Sequence, residues 1–143
     1  MIGRLLGIDH GLKRIGLAVS DAMGISARAL MILDRQGDAP DYARIAQIIQ
    51  QQQVVAVIVG LPSNEGNTEQ ADIVQAWVAG LRAVIPCPLL LWDEQLTSSD
   101  ARGLARQQKR KPTAPIDDLA AQVILQSYLN ALADGLAPSP TES

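Results

Sequence analysis

The stretch VVAVIVG at residues 54–60 limits the possible fold more than any other part of the chain. It is too short for a globular helix, and it lacks the alternation of a half-buried strand. A short, continuous run of β-branched residues marks a strand buried on both faces, as in a parallel sheet covered by helices. PLLLWDE (88–94) has the same character and ends in two acids. Parallel neighbours need crossover helices, and the intervening sequence supplies one. Thr68 can cap it, Ile73, Val74, Trp77, Val78 and Leu81 form one apolar stripe, and Pro86 ends it.

Upstream, RLLGID (4–9) and IGLAVSD (15–21) are strands close enough to form a hairpin. ARALMIL (27–33) is a third strand. Pro40 then opens a helical pattern in which Ile45, Ile48 and Ile49 recur up to the glutamines at 50–53. Downstream, TSSD (97–100) resembles a capping box, and KRKPTAP is a basic loop. A long helix is expected from about Ile116 to Asp134. The order β-β-β-α-β-α-β-α-α predicts an α/β fold, a mixed five-stranded sheet flanked by helices. Residues 1–134 form the single expected domain, and residues 135–143, rich in Pro and Ser, form an expected disordered tail.

Composition narrows the class. With 3% aromatics and no Phe, the core must come from Leu, Ile, Val and Ala. No stretch reads as a signal peptide or a membrane span, so a soluble, cytoplasmic protein is expected. The single Cys87, between two prolines, cannot form an internal disulfide and has no base beside it to activate a thiolate. A net charge of −3 does not advertise nucleic-acid binding, but local patches decide that more than totals.

The acids fall at element ends. Asp9 closes the first strand, Asp93 and Glu94 close the last, and Asp117 and Asp118 open the last helix. Sites in open α/β sheets form outside strand ends. Converging carboxylates repel unless a cation lies between them. Oxygen-only ligands suit Mg²⁺ or Mn²⁺, which support phosphodiester hydrolysis. The last helix carries an apolar stripe at Ile116, Leu119, Ala120, Val123 and Ile124. On that stripe Asp117 lies about 90° from the centre and can look along the sheet edge. Asp118 lies nearly opposite and should face water as a dipole-complementing acid.

With these residues in view, the chain resembles the YqgF (RuvX) family of bacterial proteins. Four blocks carry the resemblance: DHGLKRIG at 9–16, VGLPSNEGN at 59–67, DEQLTS at 93–98 and DDLAA at 117–121. The resemblance implies a ribonuclease H-like fold and a metal-dependent nuclease. The family is described as Holliday-junction-resolvase-like and as processing the precursor of small-subunit ribosomal RNA. It places the catalytic and metal-binding acids on Asp9, Glu94 and Asp117, with Asp93 as a supporting neighbour. Gln95 stands where the family usually has Arg, which removes a fork able to bind phosphate. His10 occupies a position where the family varies and is expected as a packed or exposed turn residue.

Bases adjoin these acids. Lys13 and Arg14 follow Asp9, and Arg106, Lys109, Arg110 and Lys111 lead into Asp117. Such bases can hold a nucleic-acid backbone beside a reacting phosphate. Ser63 and Asn64, before a helix N-terminus, offer a further anion site. No aromatic stacking platform is visible, which favours recognition of backbone or shape over bases. The expected partner is structured or precursor RNA, with branched DNA as the alternative, bound by a monomer or weak homodimer. The competing readings are a junction resolvase, a non-catalytic RNA-binding assembly factor and an ATP-binding domain. The last is disfavoured because two such domains would be needed to enclose a nucleotide.

Overall fold

A computed structural model describes residues 2–62, 68–93, 108–111 and 114–140. Within them lie five strands, β1 (Arg4–His10), β2 (Arg14–Ser20), β3 (Ala27–Asp34), β4 (Val54–Leu61) and β5 (Leu89–Asp93). They also contain three helices, α1 (Asp38–Gln52), α2 (Thr68–Arg82) and α3 (Asp117–Ala133). The expected strands appear within a residue or so of their predicted ends. The helix expected to start at residues 97–100 lies outside the described residues.

The strands form one mixed sheet in the order β3-β2-β1-β4-β5. β1 and β2 form the expected antiparallel hairpin, with Asp9 opposite Gly16, and β3 adds to β2 antiparallel. β4 runs parallel to β1, and β5 parallel to β4. The carboxyl ends of β1, β4 and β5 therefore share one edge.

Side-chain alternation divides the core in two. Leu6, Ile8, Ile15, Leu17, Val57, Val59 and Leu89 face α1 and α2, meeting Ile45, Ile48, Ile49, Val74, Trp77, Val78 and Leu81. Leu5, Ala18, Ala56 and Ile58 face α3 and meet Ala121, Ile124, Leu125, Tyr128 and Leu129. Ile73, expected on the α2 stripe, is instead 37% exposed.

Two expectations give way. α1 begins two residues early, at Asp38, and takes Pro40 into its first turn, where a missing N–H costs no helical bond. The Pro/Ser tail, expected to have nothing to bury, runs back against α3 over 135–140. The Tyr128 hydroxyl donates to the Pro138 carbonyl, the Leu136 N–H donates to the Ala131 carbonyl at 2.7 Å, and Pro140 is buried. A buried phenol needs an acceptor, and this segment supplies a carbonyl. No helix among the described residues is long and apolar enough to cross a membrane.

Candidate active site

The site is built around a missing side chain. On β1, Leu5, Gly7 and Asp9 alternate onto the α3 face, while His10 turns to the other. Gly16, directly across from Asp9, carries the first turn of α3. A Cβ there would stand 1.8 Å from the Asp117 carbonyl oxygen. Gly7 gives the same clearance one helical turn along, where a Cβ would meet Leu125 Cβ at 2.8 Å and the Ala121 carbonyl at 3.0 Å. Only glycine lets helix and sheet backbones come this close. The two glycines set the rotation of α3, so residues 117, 121 and 125 lie over the sheet. Asp9, Asp117 and Arg14 thereby gather around Gly16 at the carboxyl edge of β1.

This rotation corrects the stripe read from the sequence. α3 is buried on several sides: Leu119 and Val123 pack with Ala29, while Ala121, Leu125 and Tyr128 pack on the sheet. Asp118 was expected to face water and is only 9% exposed. Arg110 grips both of its oxygens, Nη1 to Oδ1 at 2.8 Å and Nη2 to Oδ2 at 3.0 Å. Asp117 is the acid turned to the sheet edge, as expected, and Arg14 Nε donates to its Oδ2 at 2.9 Å.

The predicted bases differ in what they do. Lys13 is exposed at the hairpin tip, and Lys109 and Lys111 are exposed on the basic loop. Lys109 holds a left-handed backbone, φ 57°. Arg14 and Arg110 are instead paired to the two acids that open α3. The Asp118 carboxylate raises the Arg110 pKa further, and Arg110 also bonds Gln108 and the Pro115 carbonyl. Arg110, expected as a nucleic-acid contact, is also the anchor of its loop. Ser63, Asn64, Glu94, Gln95 and Arg106 lie outside the described residues.

Asp93 is exposed at the end of β5 and alternates with Leu89 and Leu91 onto the α1/α2 face, away from Asp9. His10 belongs to that face too. It is 7% exposed, its ring lies 4.7 Å from Trp77, and Arg35 Nη1 donates to its Nε2 at 3.1 Å. Burial, with the adjacent Arg35 charge, lowers its pKa to about 4, so it is a neutral packed residue. Cys87 is half-buried against the same core, and burial raises its pKa.

Arg35 was missed in the sequence. Its backbone N–H donates to the Lys13 carbonyl at 2.9 Å, and its Nη1 donates to the Gly11 carbonyl at 3.1 Å. Asp41 and Asp38 hold its other side at 2.7 Å each. It therefore braces the turn that follows Asp9. The only sequence signal was a base just ahead of two acids at a helix start.

Asp9 and Asp117 offer oxygen donors alone on one face, and Arg14 supplies Asp117 with a compensating charge. That donor chemistry fits a hard divalent cation. Among the described residues no group of three His, Cys, Asp or Glu side chains is placed to hold an ion. The expected third acid, Glu94, is not among them.

Sheet order and a helix packed across the hairpin define a ribonuclease H-like domain. Solved structures share that fold. RuvC from T. thermophilus, in complex with a Holliday junction substrate, superimposes with a TM-score of 0.68 at 17% identity, over 94% of this chain and 98% of that one. The fowlpox virus Holliday junction resolvase gives 0.53 at 13% identity, over 90% and 99%. The family model described as "RuvX: Holliday junction resolvase" matches residues 3–131, and the chain belongs to this family. Relatives named "Putative pre-16S rRNA nuclease" include one from Thermoanaerobacter pseudethanolicus, 38% identical over 90% of this chain and 96% of its own length. Another, from Syntrophus aciditrophicus, is 36% identical over 95% and 94%.

Proposed function

We propose that the protein is a metal-dependent nuclease that hydrolyses phosphodiester bonds in the precursor of 16S ribosomal RNA, in the cytoplasm, as a monomer or weak homodimer. The observation that carries this reading is the gathering of Asp9 and Asp117 around Gly16 at the carboxyl edge of β1. The names of the family's members supply the substrate. Glu94 is proposed as the third acid on the resemblance, and because Asp93 belongs to the face opposite Asp9.

A divalent ion held by these carboxylates would supply charge neutralisation at the phosphate and an ionised water. The chain's own groups do the rest. Asp9 and Asp117 provide negative oxygens at a fixed spacing, because the close contact at Gly16 leaves α3 little freedom to shift. Lys13, Lys109 and Lys111 present exposed cations to the strand on either side. Ser63, Asn64 and Arg106 are proposed to extend this contact.

The test is cleavage of an end-labelled precursor rRNA fragment beside a four-way DNA junction, with Mg²⁺ or Mn²⁺. Asp9→Asn is expected to lower the rate at least about 100-fold with an unchanged thermal midpoint, and chelator to abolish cleavage. Parental rates in Asp9→Asn, or full activity in excess chelator, would overturn the reading. Junction cleavage without RNA cleavage would move the substrate to branched DNA. Metal-independent RNA binding without cleavage of either substrate would make the protein an assembly factor.

A further inference from the structure

The two arginines at the start of α3 use their guanidinium groups in opposite ways. Arg110 commits its whole fork, both terminal nitrogens to Asp118 and Nε to Gln108. Arg14 touches Asp117 through Nε alone. Its Nη1 and Nη2 make no hydrogen bond to any described residue, and its side chain is 40% exposed. One edge of the group thus holds an active-site acid while the fork beyond it stays open.

An open guanidinium fork matches two non-bridging oxygens of a phosphate. Its surroundings point to the same ligand. Lys13 is the next residue, exposed on the same turn. That turn is braced from behind, since Arg35 binds both the Gly11 and Lys13 carbonyls. A cation pair on a pre-ordered turn pays little ordering entropy on binding. We propose that Arg14 grips a backbone phosphate of the substrate strand with its Nη fork while its Nε keeps Asp117 oriented. Arg14 is then the link between strand position and acid position. This rests on the nuclease reading and names which base at that site meets the strand.

The test separates strand binding from cleavage. Binding of a labelled precursor rRNA fragment and of a four-way DNA junction is followed by fluorescence anisotropy in chelator across a salt series. Arg14→Ala is expected to weaken binding roughly tenfold and to flatten the slope of log affinity against log salt by about 0.7 on single-stranded RNA. Arg14→Lys should keep the slope while losing part of the affinity. Arg28→Ala, an exposed base on β3 away from the site, should change nothing. An ion pair serving Asp117 alone predicts a different result. In that case the loss from Arg14→Ala would vanish in an Asp117→Asn background, whereas a phosphate contact retains it. An unchanged salt slope in Arg14→Ala, or loss of its effect in Asp117→Asn, overturns the inference. Failure of the parent protein to bind either nucleic acid would instead overturn the nuclease reading.

Discussion

Asp9 and His10 are neighbours in the chain and opposites in setting. On the His10 side, charges are paired from within, while His10 Nδ1, Trp77 Nε1 and Arg44 Nε are buried without a hydrogen-bond partner among the described residues. Arg35 ties His10, Gly11, Asp38 and Asp41 together, and Asp41 is fully buried between Arg35 and Arg44. Burial alone would raise the Asp41 pKa; the hydrogen bonds from the two arginines outweigh it and hold the carboxyl below its usual range. On the Asp9 side, helix and sheet backbones touch through glycine. The acid at that contact, Asp117, keeps 20% of its side chain exposed beside an arginine with an open fork. One side of β1 pairs its buried carboxylate inside the fold, and the other leaves its charges reachable. The same strand thus supports a packed wall and an open acidic edge, which are separable by mutation.

Trp77→Ala should test the wall most severely. It empties a buried indole site packed on His10 and Tyr42 and is expected to cost about 4 kcal/mol of stability. Chemical denaturation reads that loss, while cleavage at a temperature where the variant is folded should stay near parental. A matching drop in turnover would mean that the two sides are coupled. Gly16→Ala comes next, because its Cβ cannot fit against the Asp117 carbonyl. It should cost about 3 kcal/mol and, unlike Trp77→Ala, also suppress cleavage of the folded protein. Asp118→Asn breaks the grip on Arg110 and should cost about 2 kcal/mol. It should also weaken strand binding by loosening the loop that carries Lys109 and Lys111, without altering turnover at saturation.

The smallest effect is a matter of pH. A depressed folded-state pKa means that the contribution of Asp41 is present above the ordinary carboxylate value of about 3.9 and is lost as pH falls through the folded value. Stability curves of the parent and Asp41→Asn should therefore converge in acid. Curves that stay parallel down to pH 2 would remove Asp41 from the wall.

The strands were legible because β1 and β4 are buried on both faces and the edge strand β5 is half-buried, and such strands announce themselves as apolar runs. Asp9 and Asp117 were legible as element ends. Their convergence was expected from strand order and from the resemblance; the close helix–sheet contact at Gly16 was not, because the contribution of a glycine is an absence. The facing of α3 was misread because Leu119, Val123, Leu125 and Tyr128 pack in different directions. A helix enclosed on several sides offers more than one apolar stripe. Arg110 and Asp118 lie eight residues apart across a proline-bearing loop, a pairing that no periodicity encodes. Arg35 carried no apolar or catalytic pattern, only charges whose partners the fold selects.

The strap formed by Tyr128 and Pro138 has a practical consequence for spectroscopy. α3 spans 17 residues, or about 25 Å, with the carboxylates at its first turn and the strap beyond its last. Leu136 in that strap is 77% exposed, and the only native thiol, Cys87, is half-buried. A fluorophore on Leu136→Cys would sit roughly one helix length from the reacting phosphate, a fixed reporter of how a labelled strand arrives and leaves.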